Sequence, residues 1–159
     1  PVIVLLGLNR SGSISNPFSN FHAPTRSHYD YRLKECIQDG GLERLQGAYM
    51  TDLVDETDPN SNNVVVTDDD AAVLLEQLRL LGESEYHVVC FGNKPFDALV
   101  EYFDADESTL TPELKRATVE AEELTLQLYR TWFYGLYGAN QDKVAVFKRQ
   151  LHVLNDRLA

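Results

Sequence analysis

Gly7-Leu8-Asn9-Arg10-Ser11-Gly12-Ser13 gathers an amide, a guanidinium, two hydroxyls and two glycines directly behind the apolar run Val2 to Leu6. Its glycines have the spacing of a phosphate-binding loop, G-x-x-x-x-G-K-[ST], but Ser13 stands where the phosphate-reaching lysine belongs. That argues against an NTPase and leaves only a weaker nucleotide-binding role for the serine-rich loop. A serine nucleophile lacks its G-x-S-x-G turn, and none of the four histidines stands in a triad context. Asp68-Asp69-Asp70 invites a metal, but neighbours in one helical turn diverge, whereas a hard cation needs converging oxygens. Thr67 followed by those aspartates reads instead as a helix start. Cys36 and Cys90 lack ligand spacing, so a zinc site is not expected and two reduced thiols of a cytoplasmic protein are.

The elements that would position these groups alternate between strand and helix. A short apolar run closed by glycine reads as a buried parallel strand, and the pattern recurs at Gly47–Val54, Tyr86–Phe91 before Gly92, and 124–134 before Gly135. Residues 29–46 read as two short helices broken at Gly40-Gly41. The stretch from Thr67 to about Leu81 reads as a helix striped by Val73, Leu74, Leu78 and Leu81, and Asn93-Lys94-Pro95 opens another on Phe96, Leu99, Val100 and Phe103. Thr111-Pro112-Glu113 is read as the cap of a helix running to Glu123, and Asn140 as the cap of a last helix striped by Val144, Phe147, Leu151, Leu154 and Leu158. Residues 55–63 carry turn composition, not a site in themselves. His87 falls inside a strand and His152 beside the last helix's stripe, both as packed residues. The expectation is one domain over residues 1–159, a three-layer α/β/α sandwich around a central four-stranded, mostly parallel sheet.

The 159 residues allow one substantial core, and 43% hydrophobic with 25% charged residues is ordinary for a soluble domain. Neither a bilayer-spanning run nor a charged-then-apolar leader is present, so no membrane partner is expected. The chain begins almost inside its first strand without an initiator Met, which points to processing or a longer parent chain. Net charge is −11, which opposes phosphate binding in general. The acidity is central, however: residues 51–130 hold nineteen acidic against five basic side chains, while residues 1–50 hold four against five and residues 131–159 two against four.

Gly7-Leu8-Asn9, with Phe21-His22-Ala23-Pro24 placing Phe21 twelve residues after Asn9, resembles the first motif of the uracil-DNA glycosylase superfamily, G-[IL]-N-P-G followed by F-x-x-P. The resemblance is to the mismatch-specific uracil/thymine branch. Thr51-Asp52-Leu53-Val54 is similar to that branch's T-x-L-V strand end, and Phe91-Gly92-Asn93-Lys94-Pro95-Phe96 to its strand–Gly–helix segment. The motifs stand in the family's order across nearly the whole chain.

The resemblance implies hydrolysis of the N-glycosidic bond of uracil or a related base in DNA, a base-excision repair step, without metal or cofactor. Asn9 would orient the attacking water through its amide oxygen, and Phe21 would stack on the extruded base. Leu8 and Arg10 would offer backbone donors to the base, with Thr51, Asp52, Tyr137 and Asn140 lining the same pocket and Leu136 with Tyr137 as wedge or floor. Ser11, Ser13, Lys94 and Lys143 are the candidates for DNA backbone contacts. Two positions depart from the family. Arg10 replaces the proline after Asn9, and Gly135-Leu136-Tyr137-Gly138-Ala139-Asn140 stands where H-P-S or N-P-S is expected. Loss of such a preorganised donor costs about 10²–10³ in rate. Asn9 as a loop-closing residue and Phe21 as core packing stay open, as does a non-catalytic module binding a free nucleobase, a nucleotide or a protein.

Overall fold

Val2–Gly7 is a run of apolar side chains that one face of a sheet cannot accommodate, and the fold buries it on both. Leu5 enters one hydrophobic cluster while Val4 and Leu6 enter the other. The structure, a computed structural model, describes residues 2–10, 29–135 and 141–158. In chain order these form β1 (Val2–Gly7), α1 (Tyr29–Gln38), β2 (Tyr49–Asp52), α2 (Asp68–Leu81), β3 (Glu85–Phe91), α3 (Asn93–Phe103), β4 (Glu107–Thr111), β5 (Leu114–Ala121), β6 (Leu124–Thr131) and α4 (Gln141–Arg157).

The sheet has six strands in the order β2-β1-β3-β6-β5-β4. The first four run parallel, and β5 and β4 continue the sheet as antiparallel strands. Side chains of α2 and α3, including Leu74, Leu78, Phe96 and Leu99, pack on one face with Val88 and Leu128. Those of α1 and α4, including Leu33, Ile37, Phe147 and Leu151, pack on the other with Val89 and Tyr129. The three-layer α/β/α sandwich is therefore the architecture, with two strands more than the sequence suggested.

The extra strands come from residues 107–121, where the sequence reading placed a helix over 111–123. Ala117, Val119 and Ala121 are buried while Arg116, Thr118 and Glu120 are exposed, which is a period of two and not of 3.6. Pro112-Glu113 is the turn between β4 and β5. The β5–β6 turn is Glu122-Glu123, with Glu122 at φ 57° in the left-handed region, a hairpin lacking the Asn-Gly signature that usually announces one. The strand expected over 124–134 stops at Thr131. The segment around Leu42 and Leu45, expected as a second short helix, is a series of turns whose two leucines are still buried.

Local chemistry fixes the other boundaries as expected. Thr67 Oγ1 accepts from the Asp70 backbone N–H, and Asp70 Oδ2 accepts from the Thr67 N–H at 2.7 Å, a reciprocal capping box that uses one of the three aspartates. Gly82 at φ 81° closes the same helix. Tyr86, fully buried, donates its hydroxyl to Leu78 O at 2.6 Å and accepts from Glu83 N at 2.9 Å, so the phenol bolts β3 to the end of α2 with no polar group stranded. Cys36 and Cys90 are free thiols, both buried. His87 is half-buried against Tyr129, its Nδ1 3.1 Å from the phenol oxygen. Among the described residues no helix is long and apolar enough to cross a membrane.

Gln150, 1% exposed, is the polar group the core depends on most visibly. Its Oε1 accepts from the Trp132 N–H at 2.8 Å and its Nε2 donates to Glu113 O at 2.6 Å, so one α4 side chain terminates β6 and holds the β4–β5 turn. Replacing it with Leu leaves the part-buried Trp132 backbone N–H and Glu113 carbonyl without that partner. Gln150→Leu is expected to lower stability by about 1–3 kcal/mol, read as a lower urea midpoint at unchanged slope. An unchanged midpoint would show that water replaces the side chain at no cost.

Candidate functional site at the carboxyl edge of the sheet

The strand order puts β2 and β3 on opposite sides of β1, with α1 on one face and α2 on the other. The chain thus reverses its direction of sheet-building at β1, which makes the carboxyl ends of β1 and β3 a topological switch point. In open α/β sheets ligands bind outside such a switch point.

Asn9 stands two residues past the end of β1. The chain beyond Gly7 stays alongside residues 53–58: Leu53 N donates to Gly7 O at 3.0 Å, Val54 N to Leu8 O at 2.8 Å and Asp58 N to Arg10 O at 3.0 Å. Between these rungs Asn9 Nδ2 lies 3.0 Å from Arg10 O, 3.1 Å from Glu56 O and 3.0 Å from Asp58 O. Three carbonyl acceptors assign the amide: the nitrogen must face them, and Oδ1 is turned away. Leu8 directs its side chain into the core, and Arg10 pairs its guanidinium with Asp55.

The loop that Asn9 holds is itself internally bonded. Asp58 Oδ1 accepts from Asn60 N at 2.7 Å, Asp58 Oδ2 from Asn63 Nδ2 at 3.2 Å, and Asn60 Oδ1 from Asn62 N at 3.1 Å. At its far end Lys94, in the first turn of α3, donates to Ser61 O and, at 2.6 Å, to Val64 O. Residues 55–64 therefore bridge the β1 terminus to the β3 terminus as a wall. Turn composition announced a loop there, and the structure ties it to the ends of both strands. Lys94, expected at a DNA phosphate, spends its ammonium on that wall.

Thr51 and Asp52 part company, as successive strand residues must. Thr51 Oγ1 donates to Gln77 Oε1 of α2 at 3.2 Å. Asp52, paired with Gly7 in the ladder, lies on the α1 face and near Tyr134. Tyr134, 5% exposed, donates its hydroxyl to Asp30 Oδ1 at 3.1 Å, while Arg32 Nη1 donates to Tyr134 O at 3.1 Å. Burial, then the charge of Asp30 and the hydrogen bond to it, then Asp52, push the Tyr134 phenol well above its ordinary range. It is a neutral donor committed to Asp30.

Beyond β6 the backbone carries Trp132 and Phe133 outward. Lys143 of α4 lies over the Trp132 ring, 5.0 Å from its centroid, and Arg130 donates to Asn93 Oδ1 at 2.8 Å. Phe21, Tyr137, Asn140, Leu136, Ser11 and Ser13 lie outside the described residues. The structure thus brings Asn9, Asp52 and the wall to one edge of the sheet and turns Thr51 away. Sequence reasoning missed Tyr134, Trp132 and Phe133 because it placed all three inside a strand.

Two cavities lie elsewhere. One of about 420 Å³ opens between α1 and α4, lined by Arg32, Cys36, Lys148 and His152, and one of about 530 Å³ lies between the end of α3 and the β4–β5 hairpin. Burial raises the Cys36 thiol above its ordinary value, with Lys148 and Arg32 pulling the other way. Among the described residues no group of three or more His, Cys, Asp or Glu side chains is placed to hold a metal. No family model and no curated protein sequence matches the chain.

Because the folded-state value of Tyr134 lies above the unfolded value of about 10, the unfolded chain loses this proton first. Its contribution is intact below pH 10 and declines as pH rises beyond it. Tyr134→Phe should lower stability at pH 7 by about 1–3 kcal/mol and flatten this part of the alkaline decline. Urea midpoints at pH 7 and near pH 11 for both proteins check it; parallel declines would contradict the assignment.

Proposed function

We propose that this chain is a uracil-DNA glycosylase-like protein that hydrolyses the N-glycosidic bond of uracil or a related damaged or mismatched base in DNA. The observation that carries the reading is the amide of Asn9. Its nitrogen is engaged by three backbone carbonyls just beyond the carboxyl end of β1, and its oxygen is left pointing away from them. An amide oxygen held in this way accepts a hydrogen from water and sets the direction of the water's lone pair. It has no basicity to offer at neutral pH, so its role is orientation.

In the reaction the water oxygen bonds to C1′ of the nucleotide as the C1′–N bond breaks. The bonding pair leaves on the base, and the water's proton balances that charge as it passes to the base or to solvent. The products are a free base and an abasic sugar. The departing base calls for a hydrogen-bond donor to its developing charge. Tyr134 is already committed to Asp30, and Arg130 to Asn93. That commitment is the specific observation favouring the second reading, a non-catalytic module that binds a nucleobase on the same scaffold.

Single-turnover assays on duplexes holding uracil, mismatched thymine or deaminated purines separate the two. Glycosylase action predicts alkali-labile abasic sites, with Asn9→Ala slowing their formation by about 100-fold or more. Because Asn9 also closes the loop, its variant is compared at matched folded fraction by thermal melting. Absence of cleavage by the parent protein, with free uracil still bound, would overturn the enzymatic reading in favour of the module.

A further inference from the structure

We propose that residues 55–64 form a strap that opens locally, hinged at its Asn9 end and latched at its far end by Lys94. Opening unbridges the carboxyl ends of β1 and β3, the edge at which open α/β sheets bind ligands. The inference is independent of the glycosylase reading.

The strap has no apolar anchor of its own. Leu53 and Val54 before it and Val64 at its end are buried, whereas none of residues 55–63 is. Its short turn Ser61–Asn63 closes on itself, with Asn63 N donating to Asn60 O at 3.0 Å and Val64 N to Ser61 O at 3.2 Å. A segment held by accessible polar bonds, without buried side chains, belongs to the low end of local stability and opens without global unfolding.

The two ends are held unequally. Near β1, Asp58 N donates to Arg10 O, the Asn9 amide reaches Glu56 O and Asp58 O, and Arg10 pairs with Asp55. These bonds run in both directions between the strap and the β1 extension, a few residues from buried Leu53 and Val54. Past Asp58 the bonds turn local, from Asp58 to Asn60 and Asn63 and from Asn60 to Asn62. Among the described residues, the side chain that reaches this half from outside the strap is Lys94, which donates to Ser61 O and Val64 O.

That latch is built for release. Lys94 is exposed and stands in the first turn of α3, whose N-cap Gly92 makes no side-chain cap bond. The positive end of a helix dipole disfavours a cation there. Among the described residues the ammonium's bonds go to two neutral carbonyls and not to a carboxylate. Because Asn9 belongs to the hinge, its amide keeps its place while the far half moves.

Residue-resolved amide hydrogen exchange of the parent protein, with and without low urea, tests the strap. The Asn63 and Val64 amides should exchange faster than those of Leu53, Val54 and Asp58, through an opening that is nearly insensitive to urea because little surface is exposed. Lys94→Met should speed exchange at Asn63 and Val64 about 10-fold or more and leave Leu53, Val54 and Asp58 unchanged. Lys94→Arg, which keeps the charge and the donors, should stay nearer the parent. Three results would overturn the strap: Asn63 and Val64 exchanging through global unfolding alone, Lys94→Met leaving both unchanged, or Lys94→Met speeding every one of these amides alike.

Discussion

The join between the β1 extension and the loop after β2 depends on one amide. The two hydrogens of the Asn9 amide nitrogen are shared among three backbone carbonyls, that of Arg10 beside it and those of Glu56 and Asp58 from the loop after β2. The requirement fixes the register of residues 53–58 against the β1 extension and the orientation of the Asn9 oxygen. The loop then continues through Asp58 and Asn60 to Lys94, so the ends of β1 and β3 are spanned by a wall held at both sides. Structure and proposed chemistry use opposite ends of the same group. The proposed role in orienting water would fall to the oxygen, because the nitrogen is taken up by the loop.

The α1 face of the edge is built on different physics. Tyr134 is buried against Phe91, whose ring centroid is 5.1 Å away, and its phenol reaches Asp30. Arg32 returns to the Tyr134 carbonyl. The start of α1 and the end of β6 are thus joined twice, and Gln150 fixes the next turn of chain from α4. This side supplies buried aromatic surface, and its Tyr134 hydroxyl and Arg130 guanidinium are each already bonded.

What was legible in the sequence was local. Apolar runs closed by Gly7 and Gly92, the Thr67 cap with Asp70 three residues on, and the heptad-like stripe of the last helix all declare themselves within a few residues, and they gave the three-layer sandwich. The hairpin over 107–121 was not legible, because Thr111-Pro112-Glu113 imitates a helix cap and Glu122 adopts a left-handed conformation without glycine. For the site, Asn9 was legible as a residue and ambiguous as a role, since its acceptors lie 47 and 49 positions away. Tyr134 and Asp30 are 104 positions apart, and no spacing rule connects them. Thr51 and Asp52 were read together because they are adjacent, and the pleat separated them.

A crystal structure of the chain with a DNA oligonucleotide carrying a non-hydrolysable 2′-fluoro-2′-deoxyuridine tests the central claim most directly. The account predicts the uracil ring in the crevice between the ends of β1 and β3, with a water about 2.6–3.2 Å from Asn9 Oδ1 and facing C1′, while Asn9 Nδ2 keeps its backbone carbonyls. A uracil bound away from that crevice, or an Asn9 oxygen drawn into the loop instead of toward water, would contradict it.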